Sequence, residues 1–264
     1  MNQKFALVTG ASEGIGFEFS KVLASKGYNI ILVARTLKKL QKAANSLEES
    51  FNIQTQVISC DLASPNAAQF LFDEVSSLNI KVDVLVNNAG LLLNGFFEEI
   101  DLSRQEKLLQ CNIVALTAIT HLFANDMSKR GSGRILNVAS TAAWMAIPNQ
   151  NVYAASKAYV LAFSHALADE MRAAKTGVTV TAVCPSYTDT KMLANPEQGA
   201  GVKLPGFMIL APDYVAKKGI EACLAGKENC IPGLSNRLGM ALVQLFPKMW
   251  VAKLFGALYR NAHH

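Results

Sequence analysis

The sequence predicts an α/β domain, a doubly wound parallel sheet with helices on both faces, and three observations carry that prediction. Short apolar runs rich in Val and Ile, beginning at Phe5, Asn29, Thr55, Val82, Arg134 and Val178, alternate with longer segments of helical period. Continuously apolar runs suit strands buried on both sides, as parallel strands are when their crossovers place helices on each face. The first run passes straight into a glycine-rich turn and then a helix, the junction at which such sheets bind dinucleotides. With 264 residues, 51% hydrophobic and 17% charged, the chain has the size and apolar content for one large core.

Charge and cysteine usage narrow the function. The net charge of +5 is scattered without a long basic run, so no nucleic-acid partner is expected. Cys60, Cys111, Cys184, Cys223 and Cys230 form an odd set without C-x-x-C spacing, several inside apolar runs, which fits buried free thiols in a reducing compartment. Met1 leads directly into the first strand with no separate leader pattern, so export is not expected and the chain reads as cytoplasmic. No metal site is expected, and His263 and His264, native or remnants of a tag, carry no functional reading.

Taken in order, the first strand, Phe5 to Val8, opens into Thr9-Gly10-Ala11-Ser12-Glu13-Gly14-Ile15-Gly16. Its glycines permit a tight turn and close approach of a pyrophosphate, which the free N–H groups at the helix start then meet. The second strand, Asn29 to Ala34, is followed by Arg35, where an acid for the ribose hydroxyls is common in NAD sites. Arg35, helped by Lys38 or Lys39, can pair with an adenosine 2′-phosphate, so NADP(H) is expected over NAD(H), with Glu13 in the phosphate loop opposing it. The third strand, Thr55 to Ser59, ends near Asp61-Leu62, where the Asp61 side chain can accept from an adenine amino group. Ser64-Pro65 reads as N-cap and first residue of the next helix, and Ser103 with Glu106 as a capping box.

The fourth strand, Val82 to Val86, ends in Asn87-Asn88-Ala89-Gly90, whose amides can bond neighbouring strand ends while the small residues leave room for a ribose. The fifth, Arg134 to Ala139, ends at Ser140; the sixth, Val178 to Cys184, precedes Pro185; a weaker seventh spans Asn229 to Ile231. Between the fifth and sixth lies Tyr153-Ala154-Ala155-Ser156-Lys157 in a helical pattern. That spacing puts a phenol and an ammonium on one helix face, so Lys157 is expected to pull the Tyr153 pKa from ~10 toward useful acid–base chemistry.

These elements together resemble the short-chain dehydrogenase/reductase family. The match rests on Thr9 to Gly16, Asn87 to Gly90, Asn112, Ser140, Tyr153 with Lys157, and Pro185-Ser186 with Thr190, in family order, over about residues 4 to 232. The wording from Ala115 to Ser140 is similar to the subgroup of 3-oxoacyl and 17β-hydroxysteroid reductases. The resemblance implies a Rossmann-type sheet of order 3-2-1-4-5-6-7. It also implies that Tyr153 exchanges a proton with a carbonyl oxygen, that Lys157 lowers its pKa and binds the nicotinamide ribose, that Ser140 bonds the alkoxide, and that Asn112 holds a relay water. Gly10, Ser12, Glu13, Gly14, Ile15, Gly16, Arg35, Asp61, Leu62, Asn88, Ala89, Gly90, Tyr153, Lys157, Pro185, Thr188 and Thr190 would hold the cofactor. Ser186 stands where the family has glycine, which puts the conformation of that loop in question. Homodimers or homotetramers are implied.

The substrate side is apolar. Leu91 to Leu93, with Leu92 central, Trp144, Met145, Ile147, Tyr187, Met192, Leu193 and Phe207 to Leu210 follow strand ends, with Lys191 as an anionic anchor. A lipophilic carbonyl or alcohol, such as a 3-oxoacyl thioester or a steroid, is expected. Sugars or small xenobiotic ketones are the alternative, and an idle NADP(H)-sensing protein is the alternative of a different class. Residues 188 to 211 form a connection long enough for a lid. The family pattern fades after Gly233, dividing residues 1–232, a catalytic domain, from 233–264, a helical extension. Within 248–260, Trp250, Val251, Leu254, Phe255 and Leu258 share a face opposite Lys253, Gly256 and Arg260. Packing on its own core or a partner subunit, peripheral contact with an anionic membrane, and spanning are the three uses open to it, the last disfavoured by Lys248 and Lys253.

Overall fold

The computed structural model of the chain describes residues 3–195 and 209–261. In chain order the elements are β1 (Phe5–Thr9), α1 (Gly14–Ala24), β2 (Asn29–Ala34), α2 (Leu37–Phe51), β3 (Thr55–Ser59), α3 (Ala67–Ser77), β4 (Val82–Asn87) and α4 (Leu102–Leu109). A π-helical segment, Gln110–Ala115, leads into α5 (Leu116–Arg130), β5 (Gly133–Val138), a 3₁₀ turn (Thr141–Trp144) and α6 (Asn151–Ala173). Then follow β6 (Val178–Val183), the short α7 (Lys191–Ala194), α8 (Pro212–Leu224), β7 (Asn229–Cys230), α9 (Leu234–Val243) and α10 (Lys248–Asn261).

The seven strands form one parallel sheet of order β3-β2-β1-β4-β5-β6-β7. Alternate strand residues feed two cores. Leu7, Ile31, Val33, Leu85, Ile135 and Val180 pack beneath α3 and α5. Ala6, Val8, Ile30, Leu32, Val86 and Leu136 pack beneath α1, α2 and α8. Phe19 and Phe123, one in each core, are the bulkiest fully buried side chains, and truncating either to Ala removes packing of ~3–5 kcal/mol.

A buried polar chain ties the layers together behind the site. Asn87 Nδ2 donates to Thr120 Oγ1 and to Asn137 Oδ1, both at 2.9 Å, and Asn137 Nδ2 donates to Ser164 Oγ at 2.9 Å. These bonds connect β4, α5, β5 and α6, fixing the strand ends from which the functional residues project. All five cysteines are free, and only Cys230 is other than buried.

Several local expectations are corrected. The helix after β3 starts at Ala67, because Asn66 adopts a left-handed conformation (φ 59°) and leaves Ser64 and Pro65 in a turn. Ser103 lies inside α4, which is preceded by Asp101, so no capping box forms there. Asn112 sits in the π segment rather than in regular helix. On α10, Val251 is buried whereas Trp250 and Leu254 are exposed, which splits the apolar face expected to act as one. Helix Leu102–Arg130 is long and apolar enough to cross a membrane, but half of its most apolar stretch is buried and α5 packs against the sheet. The side chains of Phe255, Leu258 and Arg260, and the glycine- and proline-rich part of the expected lid, lie outside what is described.

Candidate active site

The site lies where the strand order reverses, at the carboxyl ends of β1 and β4, the position at which open α/β sheets bind ligands. The glycine-rich turn after β1 is a close-fitted cradle. A Cβ on Gly16 would collide with Gly10 O and lie 2.5 Å from Asn88 Nδ2, and Gly10 holds a positive φ of 67° beside Ala89. Asn88 braces the turn by donating Nδ2 to Thr9 O at 2.9 Å, while Thr9 Oγ1 accepts from the backbone N–H groups of Asn88 and Ala89, each at 3.0 Å. The backbone is thus held open toward a phosphate by contacts between two strand ends.

A groove of about 510 Å³ runs over this turn, lined by Gly10, Ser12, Glu13, Gly14, Ile15, Gly16, Arg35, Lys39, Asp61, Leu62, Asn88, Ala89, Gly90 and Thr190. Glu13 is not left as a bare negative charge there. Its carboxylate pairs with Lys191 at 2.8 Å and Lys39 at 3.2 Å, and the bond from Lys191 leads in holding its pKa below the usual carboxylate value. Lys191 therefore faces the phosphate loop and not the substrate cavity, against the expectation of an anionic anchor. Asp61 Oδ1 accepts from Ala63 N at 3.0 Å, which fixes the carboxylate at the groove edge.

The groove joins a second cavity of about 420 Å³ through shared walls at Ile15, Asn88, Gly90, Thr190 and Met192. Ser140, Tyr153 and Lys157 all line that cavity. Two elements deliver them: Ser140 follows the end of β5, and Tyr153 and Lys157 stand on successive turns of α6. Ser140 Oγ accepts from Ala142 N at 3.2 Å and reaches the Tyr153 hydroxyl, so its lone pairs and proton are oriented by fixed neighbours. Lys157 Nζ donates to Val138 O at 2.8 Å and stands 5.8 Å from the centre of the Tyr153 ring.

Burial governs the titration of both α6 groups. It raises the Tyr153 pKa above that of a free phenol, a rise opposed by the hydrogen bond with Ser140 and reinforced by Tyr187. The expected lowering by Lys157 is thus corrected: the ammonium is directed at Val138 O, and desolvation of the phenolate outweighs other effects. Burial also draws Lys157 down to about 8, with Cys111 and Cys184 acting weakly in the opposite direction.

This depression has a sign that stability measurements can check. Between pH of about 8 and 10.5 the unfolded chain holds a proton on Lys157 that the folded one has released, so stability rises with pH across that window. Below it both states are charged and the folded protein bears the full cost of burying the cation. Denaturation of the cofactor-free protein and of Lys157→Met should show the wild type gaining on the variant through this window, by on the order of 3 kcal/mol. A pH-independent difference would contradict it.

Asn112 is held by three bonds. Its Oδ1 accepts from Leu91 N at 2.8 Å, and its Nδ2 donates to Leu91 O at 2.9 Å and Ser156 Oγ at 3.1 Å. Ser156 Oγ in turn donates to Tyr153 O at 2.7 Å, so Asn112 ties the chain just after β4 to the turn of α6 that carries Tyr153. A Cβ on Gly90 would lie 3.4 Å from Asn112 Oδ1 and 3.5 Å from Lys157 Nζ, which shows how closely the two flank this glycine. The π segment that carries Asn112 is the kind of helical irregularity that concentrates at functional sites.

Leu92, Tyr187 and Met192 line the cavity as expected, together with Met145, Ile147, Leu193 and Leu210. Trp144 does not: it faces a separate cleft formed by the 3₁₀ turn, α6 and α10. Leu91 lies in the cofactor groove, and the expected lining residues Phe207 and Met208 fall outside the described residues. Pro185, Thr188 and Thr190 border the cavity, and Ser186 needs no left-handed backbone, which answers the doubt over the missing glycine. The connection is pinned at its base, where Asp189 N donates to Leu210 O at 3.0 Å and Leu210 N to Tyr187 O at 2.9 Å. Ser235, Asn236, Gly239 and Met240 of α9 also close the cavity and were not anticipated. Their spacing on one helix face was the available signal. Among the described residues no group of His, Cys, Asp or Glu is arranged to hold a metal ion.

A phosphate cradle on the first crossover, joined to a cavity carrying Ser, Tyr and Lys together, defines a dinucleotide-dependent oxidoreductase of the Rossmann type. Residues 4–200 match the family model described as short chain dehydrogenase, and the chain belongs to that family. It is 32% identical to a very-long-chain 3-oxoacyl-CoA reductase-like protein of Arabidopsis thaliana, over 92% of this chain and 77% of that one. It is 32% identical to 17-beta-hydroxysteroid dehydrogenase type 3 of Mus musculus, covering 86% and 71% of the two chains. A 15-hydroxyprostaglandin dehydrogenase [NAD(+)] of Bos taurus shares 36% identity over 75% of this chain and 73% of that one. Among solved structures, a short-chain dehydrogenase from Sphingobium yanoikuyae in complex with NADPH superposes with a TM-score of 0.80 at 26% identity, covering 92% and 94%.

Proposed function

We propose that the chain transfers hydride between NADP(H) and the carbonyl or secondary alcohol of a lipophilic substrate. The observation that carries this is the convergence of Ser140, Tyr153 and Lys157 on a mostly apolar cavity continuous with the phosphate groove. Gly10, Ser12 to Gly16, Arg35, Asp61, Leu62, Asn88 to Gly90, Tyr153, Lys157, Pro185, Thr188 and Thr190 would hold the dinucleotide, whose nicotinamide supplies or receives the hydride. In the reductive direction Tyr153 gives its proton to the carbonyl oxygen, and a phenol kept protonated by burial is the form that donation needs. Ser140 donates to the developing alkoxide, a contribution of ~2.7–4 kcal/mol for a well-placed donor. Lys157, charged below a pH of about 8, resupplies the proton that Tyr153 gives up, with Asn112 holding the relay in register.

The lipophilic assignment rests on the Leu, Met and Ile walls and on the substrate names carried by the relatives. A chain-length series of 3-oxoacyl thioesters and steroid ketones, run beside sugars and small polar ketones, tests it. Turnover should rise with apolar surface; turnover of the polar carbonyls alone would refute it.

The cofactor assignment rests on Arg35 and Lys39 at the groove edge and on the lysine partners that neutralise Glu13. The relatives divide, one named for NAD(+) and one solved with NADPH, so this chain's own residues decide. Arg35→Ala should lower kcat/KM for NADPH by roughly 10–100-fold, the worth of one or two charge-assisted bonds, and leave NADH unchanged. Equal use of both cofactors by the wild type would overturn the preference. Assembly as a homodimer or homotetramer is part of the proposal, supported by exposed Leu102, Leu109 and Val114 along α4 and the π segment and by Tyr159 on α6.

A further inference from the structure

Helix α9 is two-sided. Ser235, Asn236, Gly239 and Met240 turn inward and close the substrate cavity. Leu234, Leu238 and Leu242, one helical repeat apart on the other side, are turned outward, with Leu238 64% and Leu242 61% exposed. Along the chain the exposed apolar residues continue through Leu245 (77% exposed), Phe246 and Met249 to Trp250 (65%) and Leu254 on α10. Large apolar side chains exposed this fully, and this many in so short a segment, mark a surface that meets something else.

Charge says what that is. From Asn229 to the last residue the sequence holds no aspartate or glutamate, while it holds Arg237, Lys248, Lys253 and Arg260. Arg237, Lys248 and Lys253 are exposed beside the apolar stripe. Leucines and a tryptophan flanked only by cations match the interface of an anionic bilayer, where the apolar side enters the acyl boundary and the basic groups meet headgroup phosphates. A second copy of the same face would set these cations against one another with no carboxylate in the segment to pair with them. Spanning is disfavoured for α10 by Lys248 and Lys253, whose charges would each be costly inside a bilayer.

We infer that α9 and α10 dock the protein on the surface of an anionic membrane, so that the roof of the substrate cavity rests against the lipid. Resting on the lipophilic-substrate reading above, this would let a carbonyl compound dissolved in the bilayer reach the cavity past α9 without crossing water. The docking itself needs no turnover.

Co-sedimentation with vesicles tests it, using phosphatidylcholine alone and phosphatidylcholine mixed with phosphatidylglycerol. The full chain should bind the anionic vesicles, release at high salt, and leave neutral vesicles largely unbound. The variant Leu238→Glu/Leu242→Glu/Trp250→Glu should bind at least tenfold more weakly while reducing a short soluble ketone normally. If that variant folds poorly, Arg237→Gln/Lys248→Gln/Lys253→Gln, which alters only exposed charges, should lose the preference for anionic vesicles. Absence of vesicle binding, equal binding to both vesicle types, or unchanged binding by the variants overturns the inference. So does a dimer in the wild type that the leucine variant converts to monomer without any vesicle binding, which would assign the face to a second copy. A protein that docks but reduces no lipophilic ketone would leave the docking standing and refute the substrate assignment.

Discussion

Tyr153→Phe is expected to lower kcat by about 10²–10⁴-fold while NADPH binding is unchanged, because it removes the proton donor and keeps the ring. The ring shares its cluster with Ala142, Ile147 and Ala154, contacts that Phe preserves, so the loss falls on chemistry rather than on folding. Ser140→Ala should cost about 10²–10³-fold through the missing alkoxide donor. The double variant should lose little more than Tyr153→Phe alone, since groups that act as a unit are non-additive. Steady-state rates beside a fluorescence titration of NADPH separate the two effects. Unchanged kcat in Tyr153→Phe would contradict its role as proton donor, and a chain that turns over no ketone and whose biological function survives Tyr153→Phe would be the idle dinucleotide sensor instead.

Gly16→Ala is the second large effect, and it strikes binding instead. The new Cβ collides with Gly10 O and presses on Asn88 Nδ2, whose bond to Thr9 O holds the turn. Either the turn opens or α1 shifts, at a cost in stability of about 1–3 kcal/mol. Losing one or two phosphate bonds adds a drop in NADPH affinity of roughly 10–100-fold. Gly14→Ala provides the contrast: its Cβ would stand 3.5 Å from Thr190 Cγ2, an ordinary contact, so only the strain of its positive φ of 60° remains. Thermal unfolding and NADPH titration of the two variants should rank Gly16→Ala as the more damaged in both. The reverse order would mean that the cradle is not packed as described.

Much of the fold was legible because doubly buried parallel strands leave continuous apolar runs, and because a phosphate turn needs glycine where a Cβ has no room. The chemical pair on α6 was legible for a similarly local reason, since four residues is one helical turn. What escaped depends on contacts distant in sequence or on backbone conformations that several residues can adopt. Glu13 looked obstructive until Lys191, 178 residues away, was seen to pair with it. Asn66 turning left-handed moved a helix start that Ser64 and Pro65 suggested, and nothing in the residues around Asn112 announces a π turn. Spacing reveals a cation near Tyr153 but neither the depth of burial that raises its pKa nor that the cation points at Val138 O. The place of Trp144 after a strand end suggests the cavity, whereas α9, beyond the family pattern, supplies that wall.

The most direct measurement follows a labelled hydride. With NADPH deuterated at the transferable position of its nicotinamide and a long-chain 3-oxoacyl thioester, mass spectrometry should find one deuterium on the new carbinol carbon with wild type, and the same labelled product from Tyr153→Phe at a rate about 10²–10⁴-fold lower. Product without deuterium, or no product from wild type that binds NADPH normally, would contradict the account.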